Sequence, residues 1–136
     1  MISDRTGLPL HLTVSAANTP DAQLLLPMLD TMPAVAGRRG RPRRRPDKLH
    51  ADKAYDHKSV RAAVRRRGIT VRIARKAVES SHRLGRHRWV IERTMSWLMR
   101  YRRLVRRYDR HGTHFAAFAT LAAALICQRK LIKTAS

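Results

Sequence analysis

Acidic residues are scarce in this chain. Of 136 residues only 9 are Asp or Glu, against 30 Lys and Arg, for a formal charge of +21. Repulsion on that scale disfavours a compact state unless a polyanion neutralises it. Nucleic acid is the first partner implied and an anionic membrane surface the second. The cations are mostly Arg, which grips phosphate in a bidentate fork and tolerates desolvation better than Lys. Cysteine is nearly absent: the single Cys127 excludes a disulfide framework and fits a reducing compartment. No charged start leads into a long apolar stretch, so no signal peptide is expected. The longest apolar run, "FAAFATLAAALIC" from Phe115 to Cys127, falls short of the roughly 20 residues that span a bilayer and reads as a buried helix. No Gly-rich phosphate loop and no Ser/His/Asp set occurs. His82 and His87 have no Cys partners at metal spacing, which excludes a zinc site.

What is present suffices for a fold. A hydrophobic fraction of 43% over this length supports one domain with a modest core. "LPLHLTVS" alternates, with Leu8, Leu10, Leu12 and Val14 on one face, and predicts a half-buried strand. Pro9 puts that strand at an edge, and "SDRTG" before it is turn chemistry that a further strand would precede. "TPDAQLLLPMLDTM" predicts a helix capped by Thr19, with Pro20 at its first position and Pro27 shortening it. Residues 37–47 form a basic Pro/Arg-rich loop. Then come a strand from Lys48 to Ala51, a helix from about His57 to Arg67, a stop at Gly68 and a strand "ITVRI". Strand, helix and strand at this spacing make a βαβ unit with parallel strands. Two helices finish the chain, one from His87 to Tyr108 and, after a break at Gly112 and a cap at Thr113, an Ala-rich one to about Lys130.

Two of the few acids fall at informative places. Asp52, in "KLHADKAYD", ends the first strand of the βαβ unit, at the carboxyl edge where open α/β sheets place ligands. Its plain structural role would be to cap the next turn. Asp56 competes for that work as the N-cap of the following helix, which leaves Asp52 freer for function. Glu92 lies in "HRWVIERTMSWLMRYRRLVRRY". On a helical wheel Val90, Thr94, Trp97, Tyr101, Val105 and Tyr108 share one stripe, and Glu92 points the other way among Arg88, Ser96, Met99, Arg103 and Arg106. Taken alone, Glu92 reads as an exposed partner of Arg88 one turn away. Trp89 and Trp97 read as core. "RGRP", Arg39 to Pro42, matches the Arg-Gly-Arg core of a minor-groove hook, but a phosphate-contacting loop is the favoured reading.

Together "KLHADKAYD" and, forty residues on, "RHRWVIERTMSWLMRYRRLVRRYDR" resemble the carboxyl-terminal part of bacterial insertion-sequence transposases of the DDE type, above all the insertion-sequence-five group. The "G-x-P-L" strand, the "AN-x-x-D" after it and the basic loop resemble that group too, so the likeness covers essentially the whole chain. It implies an α/β, partial ribonuclease H-like fold: an edge strand, the βαβ unit, a catalytic helix and the Ala-rich C-terminal helix, without the N-terminal strands. The domain implied is a truncated catalytic domain over 1–136. By this resemblance Asp52 is the second catalytic Asp, Glu92 the catalytic Glu, and both are ligands of Mg²⁺ or Mn²⁺. Arg88, Arg39, Arg41, Arg43, Arg44, Arg45, Lys53, Arg100, Arg103 and Arg106 are the residues expected to hold DNA. The implied partners are insertion-sequence ends and target DNA, with a complementing upstream polypeptide or a second copy, and no membrane. The implied setting is the bacterial cytoplasm, at the nucleoid.

The departures from the family pattern carry equal weight. The related insertion-sequence-four group has Tyr seven residues before the Glu and Lys seven after, where this chain has Gly85 and Met99. No first catalytic Asp is identifiable, because Asp4, Asp21, Asp30 and Asp47 all fall off the expected strands. The strand that would carry it lies upstream in the family, and its loss is expected to bare an apolar sheet edge. The expectation is a transposase product that cannot cleave DNA alone. The alternatives are a non-catalytic basic DNA-binding protein, in which Asp52 and Glu92 are incidental, and a membrane-surface protein anchored by the basic helix.

Overall fold

A computed structural model describes residues 1–37, 40–76 and 81–135, and the side chains of these except for 81–87 and 135. The chain forms two compact units: Asn18–His87, and Met1–Ala17 joined by Arg88–Ser136.

The Asn18–His87 unit begins with α1, Asp21–Asp30. Its cap position is Pro20 rather than Thr19, and no side chain caps it. The fixed ring geometry holds Pro20 extended just outside the helix, while its carbonyl accepts the first turn's bond from the Gln23 amide at 3.0 Å. Pro27 sits inside the helix, which stops three residues later at Asp30. Its buried side chains are Leu25, Met28 and Leu29.

Strand β3, Lys48–Ala51, and strand β4, Thr70–Ile73, pair in parallel, with Lys48 opposite Thr70 and Ala51 opposite Ile73. Between them runs α2, Lys58–Arg66, which buries Val60, Ala63 and Val64 and packs against β4 and α1. The predicted βαβ unit is therefore present. Alternation along each strand sorts its residues: Leu49 and Ile73 are buried, whereas Lys48, His50, Thr70 and Arg72 face solvent. Helix α2 ends at Arg66, with Arg67 as its cap, just before the predicted stop at Gly68, whose φ of +69° suits a residue without Cβ. Arg45 lies across this end and donates to the Arg67 carbonyl at 2.9 Å.

In the other unit, β1, Ile2–Ser3, pairs antiparallel with β2, Pro9–His11. The strand predicted over eight residues is only three long, and it buries Pro9 while Leu8 and Leu10 stay half-buried. A register shift between Ile2 and Ser3 breaks the alternation. Pro9, with no amide hydrogen to offer a ladder, is turned inward, and its carbonyl accepts from the Cys127 thiol at 3.6 Å.

The long basic helix is two helices: α3, Ser81–Leu98, and α4, Arg102–Val105, with Tyr101 extended between them. Extending one helix to Tyr108 would stack Arg102 on Arg106 and Arg103 on Arg107, like charges four apart that repel. The predicted stripe holds through Val90, Thr94 and Trp97, but Val105 and Tyr108 are exposed. Helix α5, Gly112–Ala135, starts at Gly112 itself, so this glycine opens a helix instead of breaking one and Thr113 lies within the first turn. The break falls earlier, where Arg107 donates to the carbonyl of Asp109 at 3.0 Å.

Leu98, Ala122 and Ile126 form the centre of this unit, with Met1, Leu12, Trp97, Tyr101 and Leu104 packed on it. Helix α5 buries one face only. Ala119, Ala122, Ala123 and Ile126 are inside, while Leu121, Leu131 and Ile132 are exposed. By length and composition Gly112–Thr134 is apolar enough to cross a membrane, which the 13-residue run alone did not suggest.

Candidate active site

Asp52 stands exposed just past β3, its backbone still extended at φ −75° and ψ 177°. Its Oδ1 accepts the Ala54 amide at 2.8 Å and so caps the single turn Lys53–Tyr55. Asp56 does different work from that expected of it. The cap of α2 is His57, with no side-chain bond. Asp56 instead takes Arg61 Nε at 2.6 Å and the Lys76 amide at 2.8 Å, and Arg61 reaches on to the Ile73 carbonyl at 2.8 Å. The side chains of Arg61 and Asp56 are only 14% and 18% exposed. This brace ties the loop after β3 to the carboxyl end of β4, where the Ala74 amide also bonds the Ala51 carbonyl at 3.0 Å. The Lys76 amide first, then Arg61, hold the Asp56 carboxyl below its ordinary 3.8.

Glu92 is exposed on α3, and its Oε1 accepts Arg88 Nε at 2.8 Å, one turn away. The face around it is not the row of arginines expected. Arg103 and Arg106 lie beyond the helix break, and the exposed residues near Glu92 on α3 include Ile91 and Met95. Trp89, expected in the core, is 49% exposed. Arg93 lies over both indoles, 4.3 Å from the Trp89 ring and 5.0 Å from that of Trp97. Such stacking is worth about 0.5–1 kcal/mol where exposed.

The residues next to Glu92 fix the helix to the N-terminal turn, a role that the sequence reading missed. Thr94 is fully buried, and its hydroxyl lies 2.6 Å from the Gly7 carbonyl and 2.9 Å from that of Val90. Arg93 donates to the Thr6 carbonyl. Asp4 shapes this turn: its Oδ1 accepts the amides of Thr6 and Leu8, each at 2.8 Å. Gly7 has φ +86°, and a Cβ there would stand 2.9 Å from Thr94 Oγ1. The signal available beforehand was a polar Thr in an apolar stripe, which implies a buried hydroxyl in need of a partner.

Most other acids are committed. Asp4 serves its turn, Asp30 grips Arg67 through two bonds of 2.7 Å, Asp47 pairs with Arg43, and Asp109 lies 3.8 Å from Arg103. Among the candidate DNA contacts, Arg39 lies outside the described residues. Arg43 is taken by Asp47 and Arg45 by the end of α2. Arg41, Arg44, Lys53, Arg88, Arg100, Arg103 and Arg106 are exposed. Arg103 also lies 4.6 Å over the Phe118 ring.

Carboxylate oxygens are the right donors for a hard divalent cation, but the set is short. Among the described residues no three of His, Cys, Asp and Glu gather where they could hold a metal ion. Asp52 and Glu92 belong to different units, and each has one oxygen engaged locally. Among the described residues, the side chains do not by themselves form a divalent-metal seat.

The exposed Asp at the end of a parallel strand, and the Arg and Glu one turn apart on α3, are residues on which the sequence resemblance to DNA-transposing proteins rests. Residues 1–127 match the family described as Transposase DDE domain, and the chain belongs to that family. It is 40% identical over 131 residues to a transposase for insertion sequence element IS402 from Burkholderia cepacia. That alignment covers 96% of this chain but 62% of the relative, so the chain spans less than two thirds of its length. No solved structure matches.

Proposed function

We propose that this chain contributes Asp52 and Glu92 to a DDE-type centre for DNA strand cleavage and transfer, and that alone it binds DNA without cutting it. The supporting observation is the contrast within one loop. Asp56 is consumed by Arg61 and Lys76, whereas Asp52, at the carboxyl end of a parallel strand, is exposed with a single short-range bond. On this reading β3, α2 and β4 are the βαβ part of a ribonuclease H-like sheet within a 1–136 catalytic region. Arg88, Lys53 and the exposed arginines hold the phosphate backbone, whose contacts position without reading sequence. Mg²⁺ or Mn²⁺ is the cofactor this reading carries, and a third acid would come from a further polypeptide or a second copy. The work of such a protein lies on insertion-sequence DNA in the bacterial nucleoid.

The second reading is a non-catalytic DNA-binding chain. The Ala54 and Arg88 contacts favour it, since they give both acids ordinary local work. One experiment addresses both readings: Mn²⁺-dependent nicking of supercoiled DNA by wild type, Asp52→Asn and Glu92→Gln. The expected result is equal DNA binding by all three and nicking by none. Nicking by wild type that both variants lose would overturn the proposed inactivity. A divalent-ion increase in Tm that either substitution removes would reject the non-catalytic reading.

A further inference from the structure

We propose that the solvent face of the β3–β4 sheet is a DNA-backbone track leading to Asp52, with Lys48 and Arg72 binding phosphates along it. The inference rests on the DNA reading above and adds a surface to it. Lys48 and His50 alternate outward along β3, Thr70 and Arg72 along β4, and the register sets Lys48 beside Thr70 and His50 beside Arg72. Asp52 continues the alternation two residues past His50, in backbone that is still extended. The face thus carries cations, an imidazole and a hydroxyl, and its one acid lies at the end of the row.

Part of the basic set of this unit is already committed, while Arg41, Arg44, Lys53, Arg65 and Arg66 stay exposed like the strand cations. Arg43, Arg45, Arg61 and Arg67 are all engaged, by Asp47, the end of α2, Asp56 and Asp30 respectively. Among the described residues neither Lys48 nor Arg72 closes an ion pair. Strand backbone fixes their spacing: about 6.6 Å separates alternate residues and about 4.8 Å separates neighbouring strands. Cations held in such a row need less ordering on binding than loop arginines do. They also answer an electrostatic need, because a carboxylate such as Asp52 repels an approaching phosphate unless cations stand beside it. Lys, Arg and Thr are backbone-contacting types, so the track holds DNA without choosing its sequence.

The test is the salt dependence of binding to a duplex oligonucleotide, measured by fluorescence anisotropy with the whole chain. Lys48→Gln/Arg72→Gln is set against Arg65→Gln/Arg66→Gln, which removes equal charge from exposed positions of α2. Removing one phosphate-binding cation lowers the slope of log K against log salt by about 0.9, so the slope for the track variant should fall by about 1.8. That for the α2 variant should fall by less than half as much, and Arg72→Lys should keep the wild-type slope. Circular dichroism checks that each variant folds, which exposed strand substitutions should permit. Equal slopes for the two double variants, with wild-type binding intact, would overturn the track alone. No binding by wild type at low salt would overturn the DNA reading and the track with it.

Discussion

In the Asn18–His87 unit the loop that carries Asp52 is braced by charge, Asp56 on Arg61, whereas in the other unit the helices are pinned, beside their apolar packing, by bonds to backbone carbonyls. There Thr94 meets the carbonyl of Gly7, Arg93 that of Thr6 and Cys127 that of Pro9. Burial, with a smaller push from Asp4, raises the Cys127 thiol above its ordinary value, which favours the protonated form that makes that contact. The two arrangements respond to different insults. A carbonyl pinned by a buried hydroxyl is sensitive to shape, because close packing leaves no room to re-aim it. A brace built on a carboxylate is sensitive to acid.

Shape sensitivity separates two glycines that look alike in the sequence. Both Gly7 and Gly68 have positive φ, so alanine at either is strained by about 1–3 kcal/mol. At Gly7 the new Cβ would also stand 2.9 Å from Thr94 Oγ1, inside a fully buried site that cannot move aside. At Gly68 it would meet Arg45 Nη1 at 2.5 Å, the far end of a flexible, exposed side chain that can swing away. Gly7→Ala should therefore lower stability clearly more than Gly68→Ala in urea unfolding. Equal losses would mean that Thr94 does not hold the turn against α3.

How far the sequence revealed these arrangements depends on the range of the forces involved. The βαβ unit was legible because alternation, a helix stop at Gly68 and short spacings are local signals. The stripe Val90–Thr94–Trp97 was legible for the same reason. The break at Tyr101 was not, because apolar periodicity continues through it. The brace was misassigned because Asp56 is well placed in sequence to cap α2. Of its actual partners, Arg61 lies only five residues on in α2, but the Lys76 amide becomes a neighbour only after β4 returns beside β3. The contact between Thr94 and Gly7 spans 87 positions, which no local pattern can encode. The two candidate acids themselves were found through family resemblance, since taken alone each has an ordinary local explanation.

Acid should loosen the first unit through Asp56. Its folded carboxyl titrates below the ordinary 3.8, so the stabilisation is present above that value and is lost as pH falls from there toward the depressed folded one. Thermal melts between pH 6 and pH 3 should show a falling Tm for wild type. Asp56→Asn should start lower at pH 6 and fall less over the same range. If the variant matched wild type at every pH, the brace would not be holding the loop.

The smallest effect should come from Glu92→Gln. Arg88 and Glu92 are 78% and 62% exposed, and an i, i+4 pair in such a setting contributes no more than about 0.5 kcal/mol. Denaturant melts of Glu92→Gln should therefore nearly overlay those of wild type, with any difference shrinking further as salt is added. That near-neutrality is informative because the other acids in the helical unit are tied into its structure: Asp4 builds the turn that meets α3, and Asp109 lies half-buried near Arg103. A carboxylate that contributes almost nothing to stability, on a helix whose next two residues are firmly anchored, is free to serve an external ligand. A loss above about 1 kcal/mol on Glu92→Gln would instead show Glu92 to be structural, and would weaken the case for it as a member of a DDE centre.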